Sequence, residues 1–413
     1  MSTMIGVVAE TRPDEHRTAL VPDAVASLVA AQFQILVETN SGRAAGFSDA
    51  DFAKAGAEIV ETDELYRRSH VITCVNAVRR SARLHRGQFM VGMLQPWRHP
   101  MLIEHWARRD VTMISLDRAP RLPQAHGINP TATQARIAGR QAVLLAEEHF
   151  GGRFPTIASD GALRPARVLV FGAGVVGLQA MSSARLLGAD VTGYTGRADG
   201  RAAVTSRGAR FLEVGTALVG DDDSDQQRLA RRHELDTRIG EFDAVITAVG
   251  TPGRRPPRLV TATAIAGMRP GSVIIDIAAS RYGGNVIGSR PGTTLTVPPG
   301  VRLIGADNLP SQAPAVASDY YADNMVVALR RLCATGEPRA DLADPVWSAM
   351  VLGHQGWSVH REPRNDRQPR QPTKRSVITS PITATTPANS IAARGLPKFG
   401  VHPRPNRRGT HNA

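Results

Sequence analysis

The stretch 166–197, ARVLVFGAGVVGLQAMSSARLLGADVTGYTGR, decides the fold. An apolar run, Val168–Phe171, leads straight into Gly172-Ala173-Gly174-Val175-Val176-Gly177. A stretch of helical spacing follows, then Gly188 and a second apolar run, Val191–Tyr194. Strand, Gly-x-Gly-x-x-Gly turn, helix and strand in this order predict the βαβ unit of a dinucleotide site. Gly172 permits the tight turn, Gly174 lets a pyrophosphate approach the backbone, and Gly177 lets the helix pack closely on the strand. Val175 and Val176 open the helix, whose free N–H groups and positive dipole end suit phosphates. A lobe that packs this way and binds nothing is the alternative, but three spaced glycines cost more chain entropy than packing alone demands.

An NAD site usually carries an acid at the end of the second strand, bonded to the ribose 2′-OH. That place falls here on Thr195, in Tyr194-Thr195-Gly196-Arg197. Threonine offers a neutral hydrogen bond and no repulsion of a 2′-phosphate, and Arg197 lies beside it. These residues therefore leave NAD and NADP both open. Downstream, 243–253 (DAVITAVGTPG) and 272–280 (SVIIDIAAS) are expected to be further buried strands. Ligands bind outside the C-terminal ends of such strands. Ala248, Val249 and Gly250 are expected on the adenosine and ribose side. Asp276 either faces the nicotinamide side or serves as a turn carboxylate.

Working outward, strand and helix patterns alternate at βαβ length from residue 3 onward, which predicts mostly parallel sheets with helices on both faces. The expected architecture is α/β: two Rossmann-like, doubly wound lobes with a cleft between them and a disordered C-terminal tail. The N-terminal lobe takes residues 1–140 and the dinucleotide lobe 141–305. Residues 306–357 are expected to return as helices to the first lobe, and 358–413 to form the tail. A long helical pattern over 134–150 (QARIAGRQAVLLAEEHF) is expected to cross between the lobes, followed by a Gly/Pro-rich connector over 151–165.

Charge is unevenly spread. The chain of 413 residues carries a formal net charge of +13, yet Ser358 to the end alone holds 11 Lys/Arg and 2 Asp/Glu. The rest holds 39 basic and 35 acidic side chains, an ordinary balance that gives no nucleic-acid surface. The tail has eight prolines and too few apolar residues to offset chain entropy. No apolar run is long enough to span a membrane and no signal peptide opens the chain. Two cysteines, Cys74 and Cys333, form neither a disulfide framework nor a metal cluster, so a reducing cytoplasm is expected and no metal site.

With these motifs in place, residues 3–335 resemble the family that joins alanine dehydrogenases to the NAD-binding component of NAD(P) transhydrogenases. The resemblance rests on Glu15, Arg17 and Pro22 near the start, then on Gly42, Phe47, Asp49, Gly56 and Ala57. It continues through the glycine loop, Asp276 with Gly283-Gly284-Asn285, IGADNLPSQAP over 304–314, and Tyr321 with Asn324. The alanine dehydrogenases use a Lys and a His on the first lobe; the corresponding places here are taken as Cys74 and Gln95 or Pro96. That loss of a cation and an imidazole argues against an amino-acid dehydrogenase. Val75–Ala77 and Leu116–Arg121 resemble the transhydrogenase branch instead.

In that branch the resemblance implies a loop holding the nicotinamide ring through an Arg, a Gln, an Asp and a Ser. Here these positions are Arg121, His126, Asn129 and Ala132. Arg121, His126 and Asn129 are the expected catalytic residues, with an interlobe ion pair and plain turn residues as their alternative roles. The family's mobile tyrosine-bearing loop has no counterpart in GDDDSDQQRLARRHELDTRIGEFD. The resemblance implies NAD(H) on this chain and NADP(H) on a partner subunit, with membrane-embedded and NADP-binding subunits as partners and a homodimer as the unit. It would lie on the cytoplasmic face of the membrane. An amino-acid dehydrogenase and a non-catalytic dinucleotide-binding regulator are the competing functions.

Overall fold

The computed structural model describes residues 3–78, 83–150, 154, 165–197, 199–214, 225–250, 253–354 and 357–358. The tail expected over 358–413 lies outside these residues, except Ser358, as does nearly all of the connector over 151–165.

The first sheet starts with β1 (Met4–Val7), β2 (Gln34–Glu38), β3 (Glu58–Val60), β4 (Val71–Asn76), β5 (Phe89–Met93) and β6 (Thr112–Ser115). Between them run α1 (Pro22–Ala30), α2 (Asp49–Lys54), α3 (Thr62–Arg68) and α4 (Pro100–Arg108). Pro22 sits at the first position of α1, where no N–H is needed. Ser48 and Asp51 form a reciprocal capping box on α2. The strands order as β3-β2-β1-β4-β5-β6, all parallel. Both faces are covered. Along β4, Val71 and Val75 join one apolar cluster while Ile72 and Cys74 join the other. That is the period-two alternation of a strand buried on both sides.

A 19-residue helix, α5 (Thr131–His149), leads into the second lobe. Its sheet comprises β7 (Arg167–Phe171), β8 (Asp190–Tyr194), β9 (Arg210–Phe211), β10 (Ala244–Thr247), β11 (Val273–Asp276), β12 (Thr293–Val297) and β13 (Val301–Gly305). Its helices are α6 (Val175–Leu186), α7 (Gly200–Thr205), α8 (Asp225–Ile239) and α9 (Ala262–Ala266). The strand order β9-β8-β7-β10-β11-β13-β12 is doubly wound, with β12 antiparallel at one edge. The segment compared above with a mobile loop is α8 from Asp225 to Ile239; its start, 220–224, lies outside the described residues.

The chain then returns. α10 (Pro314–Leu332) places Tyr321, Ala322, Met325, Ala328, Leu329 and Leu332 in the core of the first lobe, at helical spacing. After α11 (Pro345–Met350), β14 (Val351–His354) pairs antiparallel with β6, and β15 (Trp357–Ser358) with β14. The first sheet therefore has eight strands, built from both ends of the described chain. Two mixed, mostly parallel sheets with helices on both faces constitute the α/β architecture expected from the sequence.

Candidate functional site

Chain order reverses between β1 and β4 in the first sheet and between β7 and β10 in the second. Such reversals leave a crevice at the carboxyl ends of the strands. Both open on one cleft of about 740 Å³. The first lobe contributes Thr11–Asp14 after β1, Asn76 and Ala77 at the end of β4, and Gln95 with Trp97–His99 after β5. The second contributes Val176 of α6, Ala248 and Gly250 after β10, Ile277–Tyr282 after β11, and Asp307 after β13.

Each glycine of the turn has a distinct physical need. Gly172 has φ +108°, and a Cβ there would come 2.8 Å from the carbonyl oxygen of Ala248. Gly177 packs so tightly that a Cβ would lie 1.9 Å from the carbonyl oxygen of Gly172. Gly174 is different. Its backbone is extended, and nothing lies within 4 Å of where a Cβ would stand. Its missing side chain leaves open room at the N-terminus of α6, where exposed Val175 and half-buried Val176 begin the helix. A group with the shape and charge of a pyrophosphate fits that space and finds the first free N–H groups of the helix.

Val249, expected in the site, does not line the cleft. Its backbone is clasped by Asn285: the Val249 N–H donates to Asn285 Oδ1 at 3.0 Å, and Asn285 Nδ2 donates to the Val249 carbonyl at 2.8 Å. Buried Asn285 thus holds the loop on which Ala248 and Gly250 stand. Asp276, expected on the nicotinamide side or as a turn carboxylate, is fully buried. Its Oδ1 accepts from Thr247 Oγ1 and from the Ala278 N–H, each at 3.0 Å, and its Oδ2 accepts from the Val286 N–H at 3.0 Å. It is the turn carboxylate.

At the end of β8, Thr195 is buried and its Oγ1 accepts from the Arg197 N–H at 3.3 Å. The Arg197 guanidinium is not free. It forks onto Asp199, Nε to Oδ1 at 2.9 Å and Nη2 to Oδ2 at 2.6 Å. An exposed acid therefore does stand at this strand end, four residues past the expected place, with its carboxyl held below the usual range by the Arg197 fork.

Arg121 and His126 are exposed, and neither lines the cleft. Asn129 is committed within its own loop: its Oδ1 accepts from the Thr131 N–H at 2.8 Å, ahead of α5, and its Nδ2 donates to the Ala119 carbonyl at 3.2 Å. The loop sits on α10, where Asn324 Nδ2 donates to the Gly127 carbonyl at 2.5 Å. In this arrangement the Asn129 side chain closes a turn ahead of α5, and none of the three expected catalytic side chains lines the cleft.

The first-lobe wall is stiffened by a buried network around Glu15, Arg17, Gln134 and Asn76. Arg17 forks onto Glu15, Nε to Oε1 at 2.7 Å and Nη2 to Oε2 at 2.6 Å, and donates to Gln134 Oε1 at 2.7 Å. Asn76 Nδ2 donates to Glu15 Oε2 at 2.7 Å and to Glu10 Oε2 at 3.3 Å. Burial alone would raise the Glu15 carboxyl, but the Arg17 fork, its charge and Asn76 hold it at about 2. Glu10 goes the other way. Burial and the neighbouring Glu15 charge push it up to about 7, against the Val75 and Asn76 N–H groups that favour its charge.

Cys74, set above at the place of the family's Lys, is fully buried, with Sγ 3.6 Å from the Val91 carbonyl. The β4–β5 register shifts between Thr73 and Asn76, and Asn76 is the side chain that reaches the cleft. Gln95 lines the cleft as expected. So do Arg98 and His99, which the sequence did not single out. Among the described residues no group of His, Cys, Asp and Glu could hold a metal ion, and no helix is long and apolar enough to cross a membrane.

Two family models, the N-terminal and C-terminal domains of alanine dehydrogenase/PNT, match residues 6–138 and 140–361. The chain belongs to the alanine dehydrogenase/PNT family. The NAD(P) transhydrogenase subunit alpha of Haemophilus influenzae is 32% identical over 391 residues, covering 91% of this chain and 75% of that one. The solved transhydrogenase from Sinorhizobium meliloti superposes with a TM-score of 0.78 at 30% identity, covering 86% of this chain and 100% of that one. A solved L-alanine dehydrogenase superposes at 0.72 with 26% identity, covering 87% and 97%. The two family domains meet inside α5, and the C-terminal one includes α10, α11 and β14, which complete the first sheet.

Proposed function

We propose that this chain is the NAD(H)-binding component of a proton-translocating NAD(P) transhydrogenase, an oxidoreductase that works with partner subunits. The observation that carries the reading is the Gly172–Gly177 turn, with open room at Gly174 and with Val176 lining a cleft at two strand reversals. Family membership, with higher identity to the transhydrogenase relatives than to the solved L-alanine dehydrogenase, supports it.

In this reading the N–H groups of Val175 and Val176 hold the pyrophosphate. Ala248 and Gly250 lie along the ribose, and Asp276 and Asn285 fix the loops that carry these contacts. A bound nicotinamide ring supplies a hydride donor or acceptor. The chain's own task is to set the ring's position and exclude water, since no general acid or base is needed for direct hydride transfer. The first-lobe wall does this through a loop clamped by Glu15, Arg17 and Asn76. Arg121 is the candidate donor to the carboxamide side and His126 its neighbour; both reach the cleft only if their loop moves.

NADP(H) would be held on a partner subunit. The chain would then sit as a homodimer on the cytoplasmic face of a membrane-embedded partner. The test is isotopic. Deuteride from 4-deuterated NADH should pass to NADP+ and appear as 4-deuterated NADPH when membranes from cells expressing the chain are supplied with both nucleotides. Deuterium found instead in alanine, with pyruvate and ammonium supplied, would make it an amino-acid dehydrogenase. Tight NADH binding with transfer to neither acceptor would make it a regulator.

A further inference from the structure

We propose that Asn76 holds the carboxamide of the nicotinamide ring, its Oδ1 accepting from the carboxamide NH2 group. Asn76 ends β4 at the strand reversal of the first sheet and lines the cleft, yet it is only 7% exposed. Its donors are committed. Nδ2 donates to Glu15 Oε2 at 2.7 Å and to Glu10 Oε2 at 3.3 Å, and the backbone N–H donates to Glu10 Oε1 at 3.2 Å. The acceptor is not. Among the described residues nothing donates to Asn76 Oδ1, and that oxygen is not sealed from the cleft. Turning the amide over would set its oxygen 2.7 Å from a Glu15 oxygen, acceptor against acceptor, so the orientation is locked. The wall therefore presents one fixed, unpaired acceptor, which is stabilised by a ligand that brings an N–H or O–H to it.

The dinucleotide supplies few candidates. Its phosphates belong at the N-terminus of α6 and, being acceptors, are repelled by Asn76 Oδ1 and by the Glu15 carboxylate beside it. The adenosine ribose belongs at the end of β8, and none of residues 194–199 lines the cleft. The cleft therefore takes the nicotinamide half, between Ile277–Tyr282 of the second lobe and the first-lobe wall. In that half the ribose hydroxyls both donate and accept, whereas the carboxamide NH2 only donates and needs a dedicated acceptor. Asn76 is that acceptor, and it leaves the carboxamide oxygen for Arg121. Fixing one edge of the carboxamide fixes the tilt of the ring, and with it the face turned toward a hydride partner.

The assignment rests on the dinucleotide reading, and the experiment separates the two. Calorimetry on the full-length protein would compare three ligands: NAD+, its acetylpyridine analogue, in which a methyl ketone replaces the carboxamide, and ADP-ribose, which lacks the ring. Wild type should bind NAD+ about tenfold tighter than the analogue, and Asn76→Ala should bring the two within about twofold of each other. ADP-ribose should bind both proteins alike. Asn76→Ser keeps a hydroxyl beside the two glutamates but withdraws the oxygen from the cleft. It should show the same collapse, and it stands in if Asn76→Ala does not fold. Equal wild-type affinity for NAD+ and the analogue, or a discrimination unchanged in the folded variants, would overturn the assignment. So would a parallel loss of ADP-ribose, which would make Asn76 a support for the wall alone. A wild type that binds none of the three overturns the dinucleotide reading, and the carboxamide contact with it; a wild type that binds ADP-ribose keeps that reading whatever the analogue shows.

Discussion

At the scale of single residues, Gly174 carries the most informative test. Gly174→Asp puts a carboxylate in open room, where it strains nothing in the fold, but it meets a phosphate at the helix N-terminus. NADH affinity should fall by at least tenfold with an unchanged melting temperature; calorimetry showing wild-type affinity would remove the site. Glu10 and Glu15 give opposite pH signatures. The folded Glu10 carboxyl, at about 7, lies above its ordinary value, so its ionisation opposes folding. Its contribution falls as pH climbs from the ordinary glutamate range to about 7. Glu15, held at about 2, contributes fully above that range and loses its contribution as pH drops toward 2. Glu10→Gln should therefore raise stability at pH 8 by about 1–3 kcal/mol, and by little near pH 4.5, as urea titrations at the two pH values will show. At the end of β8, threonine in place of an acid predicts weak discrimination between NADH and NADPH. The Arg197–Asp199 fork refines this, because it neutralises the cation that would attract a 2′-phosphate. Thr195→Asp should shift the preference toward NADH by roughly 1–3 kcal/mol, read by paired fluorescence titrations. A wild-type preference for NADH of several orders of magnitude would assign selectivity to another residue, Asp199 first.

At the scale of elements, two predictions concern α5. The Asn129 side chain accepts the Thr131 N–H ahead of this helix. Asn129→Ala should lower stability by about 1 kcal/mol, through the hydrogen bonds its side chain makes to Thr131 and Ala119, and leave NADH affinity unchanged; a large loss of affinity would return Asn129 to the nicotinamide site. Gly139 lies against the first turn of α6, where a Cβ would come 2.4 Å from the Val176 carbonyl oxygen. Gly139→Val should force the helices apart, costing about 1–3 kcal/mol and loosening NADH, measurable in one urea series with and without ligand. Elements also show what could be read in advance. The glycine turn was legible because tight turn, open room and close packing each demand glycine at a set spacing. Cys74 was set at the place of the family's Lys because a register shift between Thr73 and Asn76, which belongs to the pairing of two strands, sets which side chain reaches the cleft. Asp276 stayed undecided because its partners, Thr247 and the Val286 N–H, lie 29 and 10 residues away. Arg98 and His99 went unseen because nothing local distinguishes a cleft-facing arginine from a solvated one.

At the scale of the whole molecule, β15 bears on where the chain can be shortened. A cut after Gly356 would remove β15, a strand that pairs with β14, so the chain should be cut beyond Ser358. Truncation after Arg364 should keep NADH affinity and melting temperature, and calorimetry of the shortened protein checks this. The return of the chain to the first sheet has another consequence, for the order of events on the ribosome. The second sheet is contiguous from Arg167 to Gly305 and has all its strands once that length has emerged. The first cannot finish until β14 arrives, more than 230 residues after its neighbour β6. During that interval β6 presents an unpaired edge, which is the kind of surface that chaperones cover and that sticks to other nascent chains. Translation arrested before Val351 should thus release an aggregation-prone product that already contains every strand of the second sheet.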